Sequence, residues 1–205
     1  MKKFVITIAR GYGSGGRTIG KMLAKELGVN CYDRELLRLA SDDSGINEKL
    51  FMKADEKLKS SMLFKVARNI YKGELIGPDS NDFTSTDNLF NYQAKILKEL
   101  AEKESCVIIG RCGDFILKDR PDVIRLFVHA PLDHCITVVE DLQGVSPKDA
   151  EQKILRKDKY RAEYYKYHTG NDWIDARNYD LCLNTKELSF EKCVEVVKAY
   201  MAVKQ

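Results

Sequence analysis

No apolar run in this chain approaches the roughly 20 residues that a membrane-spanning helix needs, so no membrane partner is expected. The N-terminus, Met1-Lys2-Lys3, runs straight into a short strand pattern. It lacks the longer apolar region and small-residue cleavage site of a secretory signal, and a cytoplasmic protein is the expectation. Neither sign of charge dominates: 34 Lys and Arg face 31 Asp and Glu, and a net charge of +3 is too small to imply nucleic acid by itself. No C-x-x-C occurs among the six scattered cysteines, and with reduced thiols expected in the cytosol no disulfide framework is anticipated. His129, His134 and Cys135 lie close together, but no second ligand pair has zinc spacing, so a structural zinc site is not expected. Internal repeats are absent.

What remains is an ordinary soluble composition, 44% hydrophobic and 32% charged over 205 residues, enough to bury one core with an appended lid. Within it stands Gly11-Tyr12-Gly13-Ser14-Gly15-Gly16-Arg17-Thr18. An apolar run, Phe4 to Ala9, precedes it, and a helical pattern through Ile19, Met22, Leu23 and Leu27 follows. Strand, glycine-rich turn and helix form the context in which backbone N–H groups cradle phosphates and a helix dipole assists them. The spacing matches the phosphate-loop pattern G-x-x-x-x-G-K-[ST], with Arg17 in the lysine position. Arginine keeps the charge and can clamp phosphate oxygens with two donors at once, in a bulkier fork of fixed geometry. Gly11, Gly13, Ser14, Gly15, Gly16, Arg17 and Thr18 are therefore candidate ATP-binding residues, with the Thr18 hydroxyl as the expected Mg²⁺ ligand.

Strand patterns alternate with helical ones along the chain. Strands are predicted at 3–9, 29–32, 106–109, 123–129 and 181–184, and helices at 17–27, 34–40, 47–71, 87–103, 132–143, 147–167 and 190–204. Gly28 and Gly144 are placed to end helices, and Ser146-Pro147 and Ser189 to begin them. Alternation of this kind predicts a three-layer α/β/α domain around a five-stranded parallel sheet. Two regions interrupt it. Residues 46–86 read as a helical substrate-binding insert ending in a polar loop. Residues 146–172 read as a lid, with a basic helical hairpin over Lys153–Lys166 and a turn at His168-Thr169-Gly170-Asn171. The core is then 1–45, 87–145 and 173–205.

Residues at the carboxyl ends of the strands converge on the loop. Asp33 is a candidate to hold Mg²⁺ through water or to orient the attacking oxygen, and equally an N-cap for the helix after it. Arg111 is a candidate phosphate clamp or the partner of a carboxylate such as Asp114, and Thr185, which follows the last strand, is a further candidate ATP-binding residue. Arg156 and Arg161 on the lid would neutralise the transferring phosphoryl group, with Asp158 fixing their orientation. Tyr160, Tyr164 and Tyr165 at helical spacing read as lid packing before they read as a nucleic-acid stacking surface.

Taken together these pieces resemble the cytidylate kinase-like family, a branch of the P-loop nucleoside monophosphate kinases. The likeness rests on Gly13-Ser14-Gly15-Gly16-Arg17, Tyr32-Asp33, Gln93 and Val107-Ile108-Ile109-Gly110-Arg111. It continues through Asp158 to Tyr165, Thr169-Gly170, Trp173, Asn178 to Leu181 and Asn184-Thr185. The resemblance implies a core, lid and substrate-binding subdomain, and transfer of phosphate from MgATP to a nucleoside monophosphate, nominally CMP or dCMP. It also implies that arginine in the lysine position is habitual in this branch. The chain departs from well-understood CMP kinases at Arg34-Glu35-Leu36-Leu37-Arg38 after the strand-two aspartate. It departs again at Cys112, where those kinases place a cytosine-reading aspartate; here Asp114 follows two residues later. Arg38, Arg111, Asp114 and Asp158 are the candidate acceptor-binding residues. A different phosphorylated metabolite as acceptor, and a regulatory nucleotide-binding module without phosphotransfer, are the alternative readings.

Overall fold

The computed structural model describes residues 3–57 and 73–204. The first apolar run forms β1 (Val5–Arg10), and the glycine-rich turn leads into α1 (Gly16–Leu27). There follow β2 (Asn30–Tyr32), α2 (Glu35–Ser44), α3 (Glu48–Lys57), α4 (Thr86–Lys103), β3 (Cys106–Ile109) and α5 (Gly113–Ile116). The chain ends with β4 (Val123–His129), α6 (Leu132–Gln143), α7 (Pro147–Thr169), a 3-10 turn at Ala176–Asn178, β5 (Leu181–Asn184) and α8 (Phe190–Lys204).

The strands form one parallel sheet in the order β2-β3-β1-β4-β5. β1 is central, pairing Val5 with Cys106 of β3 on one side and with Val123 of β4 on the other. It is buried on both faces, and this is why it reads as an unbroken apolar run. The period of two sorts its side chains. Ile6 and Ile8 join Leu126 and Val128 against α1 and α8, while Val5 and Ala9 join Val123 and Phe127 on the face covered by α2, α4 and Tyr165 of α7. Burying each such branched side chain contributes roughly 1.5–3 kcal/mol. α1 lies close to the sheet because a Cβ at Gly20 would stand 3.0 Å from both Ile8 and Ile109.

Local chemistry sets the ends of the helices. Gly28 and Gly144 close α1 and α6 in the left-handed conformation, at φ 66° and 62°. The Ser146 hydroxyl accepts from the Asp149 N–H at the start of α7, and Ser189 does the same for Lys192 in α8. Arg125 in β4 is tied to Asp180 at the mouth of β5, whose carboxylate accepts from the Arg125 backbone N–H at 2.8 Å and from its guanidinium at 2.9 Å.

Three features differ from the sequence reading. The helix predicted over 147–167 is realised as α7, which runs unbroken for 23 residues from Pro147 to Thr169, so the basic stretch 153–166 is not a hairpin; after the first-turn Pro147 no Gly or Pro interrupts it before Gly170. The one-turn α5 was unforeseen, since four residues carry no periodicity. The helical pattern over 47–71 is realised as α3, and the remainder of that prediction lies outside the described residues.

Candidate active site

The turn between β1 and α1 is held open by its backbone. Gly13 and Gly15 adopt φ of +85° and +75°, a region costly to any residue with a Cβ. Space forbids one as well: at Gly15 it would lie 2.3 Å from the Phe190 ring, and at Gly13 2.9 Å from the Cys135 carbonyl oxygen. Ser14 turns inward, its hydroxyl 2.9 Å from the Gly11 carbonyl and 3.0 Å from that of Val128. Thr185 is buried behind the loop and donates to the Ser14 carbonyl at 3.0 Å, so it braces the turn from the end of β5. No side chain caps α1. The first amides of a helix have no intrahelical acceptor, so Gly16, Arg17 and Thr18 present theirs at the positive end of the α1 dipole.

Arg17 and Thr18 are exposed on the first turn of α1. The Arg17 Nε lies 2.7 Å from Asp33 Oδ2. Asp33 is thus drawn to the loop and does not cap α2, where Arg34 holds the N-cap position without a side-chain bond. Among the described residues no group of three His, Cys, Asp or Glu could hold a metal. The Thr18 hydroxyl and the Asp33 carboxylate are the oxygen donors beside the loop that could hold Mg²⁺.

α7 packs down onto the loop. Asp158 accepts the Tyr12 N–H at 2.8 and 3.1 Å through its two oxygens, and it pairs with Arg161 at 2.9 Å. Arg161 also donates to the Arg10 carbonyl at 3.0 Å and stands 5.6 Å above the Tyr12 ring. Burial raises the Asp158 carboxyl above its usual range, against the pull of Arg161.

Beside this contact lies a cavity of about 210 Å³ between the ends of β1 and β3 and the inner face of α7. Its lining carries four cations, Arg10, Arg111, Lys157 and Arg161, and four aromatic rings, Tyr160, Tyr164, Tyr165 and Trp173. Arg111 and Cys112 both take left-handed conformations, φ 60° and 52°. Such strain in residues with a Cβ concentrates at functional sites. The kink starts α5, whose Asp114 also lines the cavity. Burial pushes the Asp114 carboxyl up to about 6, although the Tyr165 hydroxyl donates to it at 2.5 Å.

Of the residues singled out in the sequence, Arg111, Asp114 and Arg161 meet in this cavity, while Gly11, Gly13, Ser14, Gly15, Gly16, Arg17 and Thr18 form the loop beside it. Arg38 and Arg156 do not line the cavity. Both are exposed, and Arg38 pairs with Asp42 at 3.2 Å along α2. Sequence reasoning overlooked Arg10 altogether. Its signal is a charged residue closing an otherwise apolar central strand, one position before the first glycine of the loop.

The cytidylate kinase-like family model matches residues 5–187, which span both the loop and the cavity. The chain belongs to the cytidylate kinase-like family. A cytidylate kinase of Methanopyrus kandleri is 24% identical over 204 residues, covering 95% of this chain and 91% of its own. Among solved structures, an uncharacterized protein from Eubacterium ventriosum is similar at a TM-score of 0.71 with 25% identity, over 98% of this chain and 99% of that one. A shikimate kinase from Bacteroides thetaiotaomicron shares the fold at a TM-score of 0.55 with 16% identity, over 97% and 98%. Family and fold together mark the chain as a P-loop kinase. Among the described residues no helix is long and apolar enough to cross a membrane.

Proposed function

We propose that this protein transfers the γ-phosphoryl group of ATP to a nucleoside monophosphate, with CMP or dCMP as the nominal acceptor. The observation that carries this reading is the juxtaposition of an anion-ready loop with a cavity lined by both cations and aromatic rings. The loop amides and Arg17 receive the triphosphate tail. Thr18 and Asp33 would hold Mg²⁺, which would neutralise charge on the β- and γ-phosphates. In the cavity, Arg111 and Arg161 take the acceptor phosphate and the tyrosines flank its base. An acceptor phosphate oxygen attacks the γ-phosphorus, the bond to the β–γ bridging oxygen breaks, and ADP leaves. Little covalent chemistry is required of the protein, so positioning and charge neutralisation account for most of the rate.

Cys112 stands where a CMP kinase of the well-understood type has a base-reading aspartate, and the nearest buried carboxyl is Asp114. It is the candidate to accept from the exocyclic amine of cytosine. A coupled ADP-release assay with CMP, dCMP, UMP, AMP and GMP tests the reading. Acceptor-dependent turnover is expected, highest with a cytosine nucleotide. ATP binding without acceptor-dependent turnover on any of the five would overturn it in favour of a binding module.

A further inference from the structure

We propose that Tyr165 is a positioning residue of the acceptor site: its hydroxyl holds the Asp114 carboxyl as a hydrogen-bond acceptor, so that the site favours a base bearing an exocyclic amine over one bearing oxygen there. The inference rests on the kinase reading above and gives Tyr165 a task beyond flanking the base. Asp114 stands on a firm footing. It is the second residue of α5, which starts at the left-handed kink of Arg111 and Cys112. The residue before it, Gly113, packs so closely that a Cβ there would stand 3.3 Å from the Ile108 side chain and 3.4 Å from that of Thr7. Asp114 is 4% exposed and lines the cavity. Tyr165 reaches it from the buried side of α7, where the Thr169 hydroxyl donates to the Tyr165 carbonyl at 2.6 Å. The Tyr165 hydroxyl donates to Asp114 Oδ2 at 2.5 Å, the length of a bond to an ionised carboxylate. Tyr165 lies about two helical turns beyond Asp158, so the face of α7 that grips the phosphate loop also carries this hydroxyl.

Burial pushes the Asp114 carboxyl up to about 6, and the Tyr165 bond is the strongest pull in the other direction. Weaker pulls come from the Asp114 N–H, Arg125 and the Phe115 N–H, in that order. Arg125, on β4, is committed to Asp180 at 2.9 Å. Tyr179, before β5, and Cys112 are further titratable groups beside the pair, and the Tyr179 hydroxyl donates to the Trp173 carbonyl at 2.6 Å. Arg10, Arg111, Lys157 and Arg161 share the cavity lining with Asp114. Without the Tyr165 hydroxyl, burial is opposed mainly by two amides and an arginine already paired elsewhere, and the carboxyl takes up a proton closer to neutral pH. That proton changes what the site recognises. An ionised carboxyl only accepts, and it offers about four acceptor sites, more than its protein donors fill; a protonated one also donates. Cytosine presents an amine where uracil presents a carbonyl oxygen. The ionised Asp114 favours the amine, and the protonated one answers the oxygen.

The test uses the full-length protein with Tyr165→Phe, Asp114→Asn and the double variant. It follows acceptor KM, kcat and calorimetric binding of CMP and UMP between pH 6 and 8.5. Phenylalanine keeps the ring in the core and removes only the hydroxyl. Loss of a hydrogen bond to a charged group is expected to move the Asp114 titration up by about one to two pH units. The KM for CMP in Tyr165→Phe should then exceed that of wild type about 2- to 10-fold at pH 7 and converge on it by pH 8.5, with kcat and ATP affinity little changed. The preference for CMP over UMP should fall and recover over the same range. The acceptor phosphate titrates near pH 6 in its own right, but alike for both proteins, so their ratio reports on the enzyme. Adding Tyr165→Phe to Asp114→Asn should change KM by less than about twofold at any pH, because the hydroxyl acts through the carboxyl. Asp114→Asn keeps a partner for Tyr165 yet cannot ionise, so its preference between CMP and UMP should not vary with pH. A preference that still varies as in wild type would overturn the inference even if Tyr165→Phe does not fold. So would a KM in Tyr165→Phe that is unchanged, that is raised equally at pH 7 and 8.5, or that is raised as much on the Asp114→Asn background; each of these leaves the kinase reading intact. CMP binding with a pH curve that Tyr165→Phe displaces, but without ADP release, would keep the inference and sink the kinase reading. Wild-type protein that neither binds nor phosphorylates any monophosphate would sink both.

Discussion

Gly15→Ala tests the loop most directly, because its cost has two separable parts. The first is conformational: Gly15 sits at φ +75°, where a Cβ costs about 1–2 kcal/mol. The second is steric. The new methyl would lie 2.3 Å from two atoms of the Phe190 ring, so the half-buried ring must move or the loop must shift, at about 1–3 kcal/mol. Gly144 isolates the first part. It closes α6 at φ +62°, and nothing lies within 4 Å of a Cβ built there. Gly144→Ala is therefore expected to cost about 1–2 kcal/mol, and Gly15→Ala about 2–5 kcal/mol. For a domain of this size each kcal/mol lowers Tm by about 2–4 °C. Thermal unfolding should thus place Gly15→Ala about 4–20 °C below wild type and Gly144→Ala only about 2–8 °C below. The two variants must also part in function. ATP affinity measured by calorimetry should fall at least tenfold for Gly15→Ala, whose backbone aims the cradle, and stay within about twofold for Gly144→Ala. Equal losses of Tm, or wild-type ATP affinity in Gly15→Ala, would refute the assignment of this turn as the phosphate site.

Arg17→Ala should abolish turnover and weaken ATP binding. It should barely move Tm, because the Arg17 side chain is 55% exposed and its pair with Asp33 is mostly screened; a loss of stability without a loss of ATP affinity would contradict the role given to it. His168 provides a pH signature. It is 1% exposed, stacks 3.9 Å from Phe90, and its Nε2 has no partner among the described residues. Burial lowers its pKa from 6.5 to about 3. The unfolded chain therefore takes up a proton below pH 6.5 that the folded one refuses. The stability from neutral His168 is fully present above pH 6.5 and is lost as pH falls toward 3. At pH 4.5 the loss amounts to about 2–3 kcal/mol. In urea titrations, His168→Phe should gain that much on wild type between pH 7 and pH 4.5, and an unchanged difference between the two proteins would exclude the assignment.

The loop was legible because it is local. Eight consecutive residues, Gly11 to Thr18, carry their own glycines, charge and hydroxyl, and the flanking periodicities place them between a strand and a helix. The same holds for the caps at Gly28, Gly144 and Ser146 and for the strands, of which the inner three, β1, β3 and β4, owe their apolar runs to burial on both faces of a parallel sheet. α7 was legible as a basic helix over 147–167, whereas the hairpin read into 153–166 fails because the helix continues unbroken to Thr169.

Sequence by itself determined that this chain builds a phosphate cradle on a five-stranded α/β core, since backbone conformation and strand burial are written in residues near one another. It also put Arg111, Asp114, Asp158 and Arg161 forward as partners. Only the tertiary structure decided which of these meet. It set Asp158 on the Tyr12 amide, brought Arg111, Asp114 and Arg161 together in the cavity, and left Arg38 and Arg156 outside it. It also exposed Arg10, which no motif had marked. Its surroundings come from far along the chain: Gly110 one hundred residues away, and Arg161 fifty-one further on. Charge crowding of that kind is a property of distances in space, and adjacent residue types do not encode it.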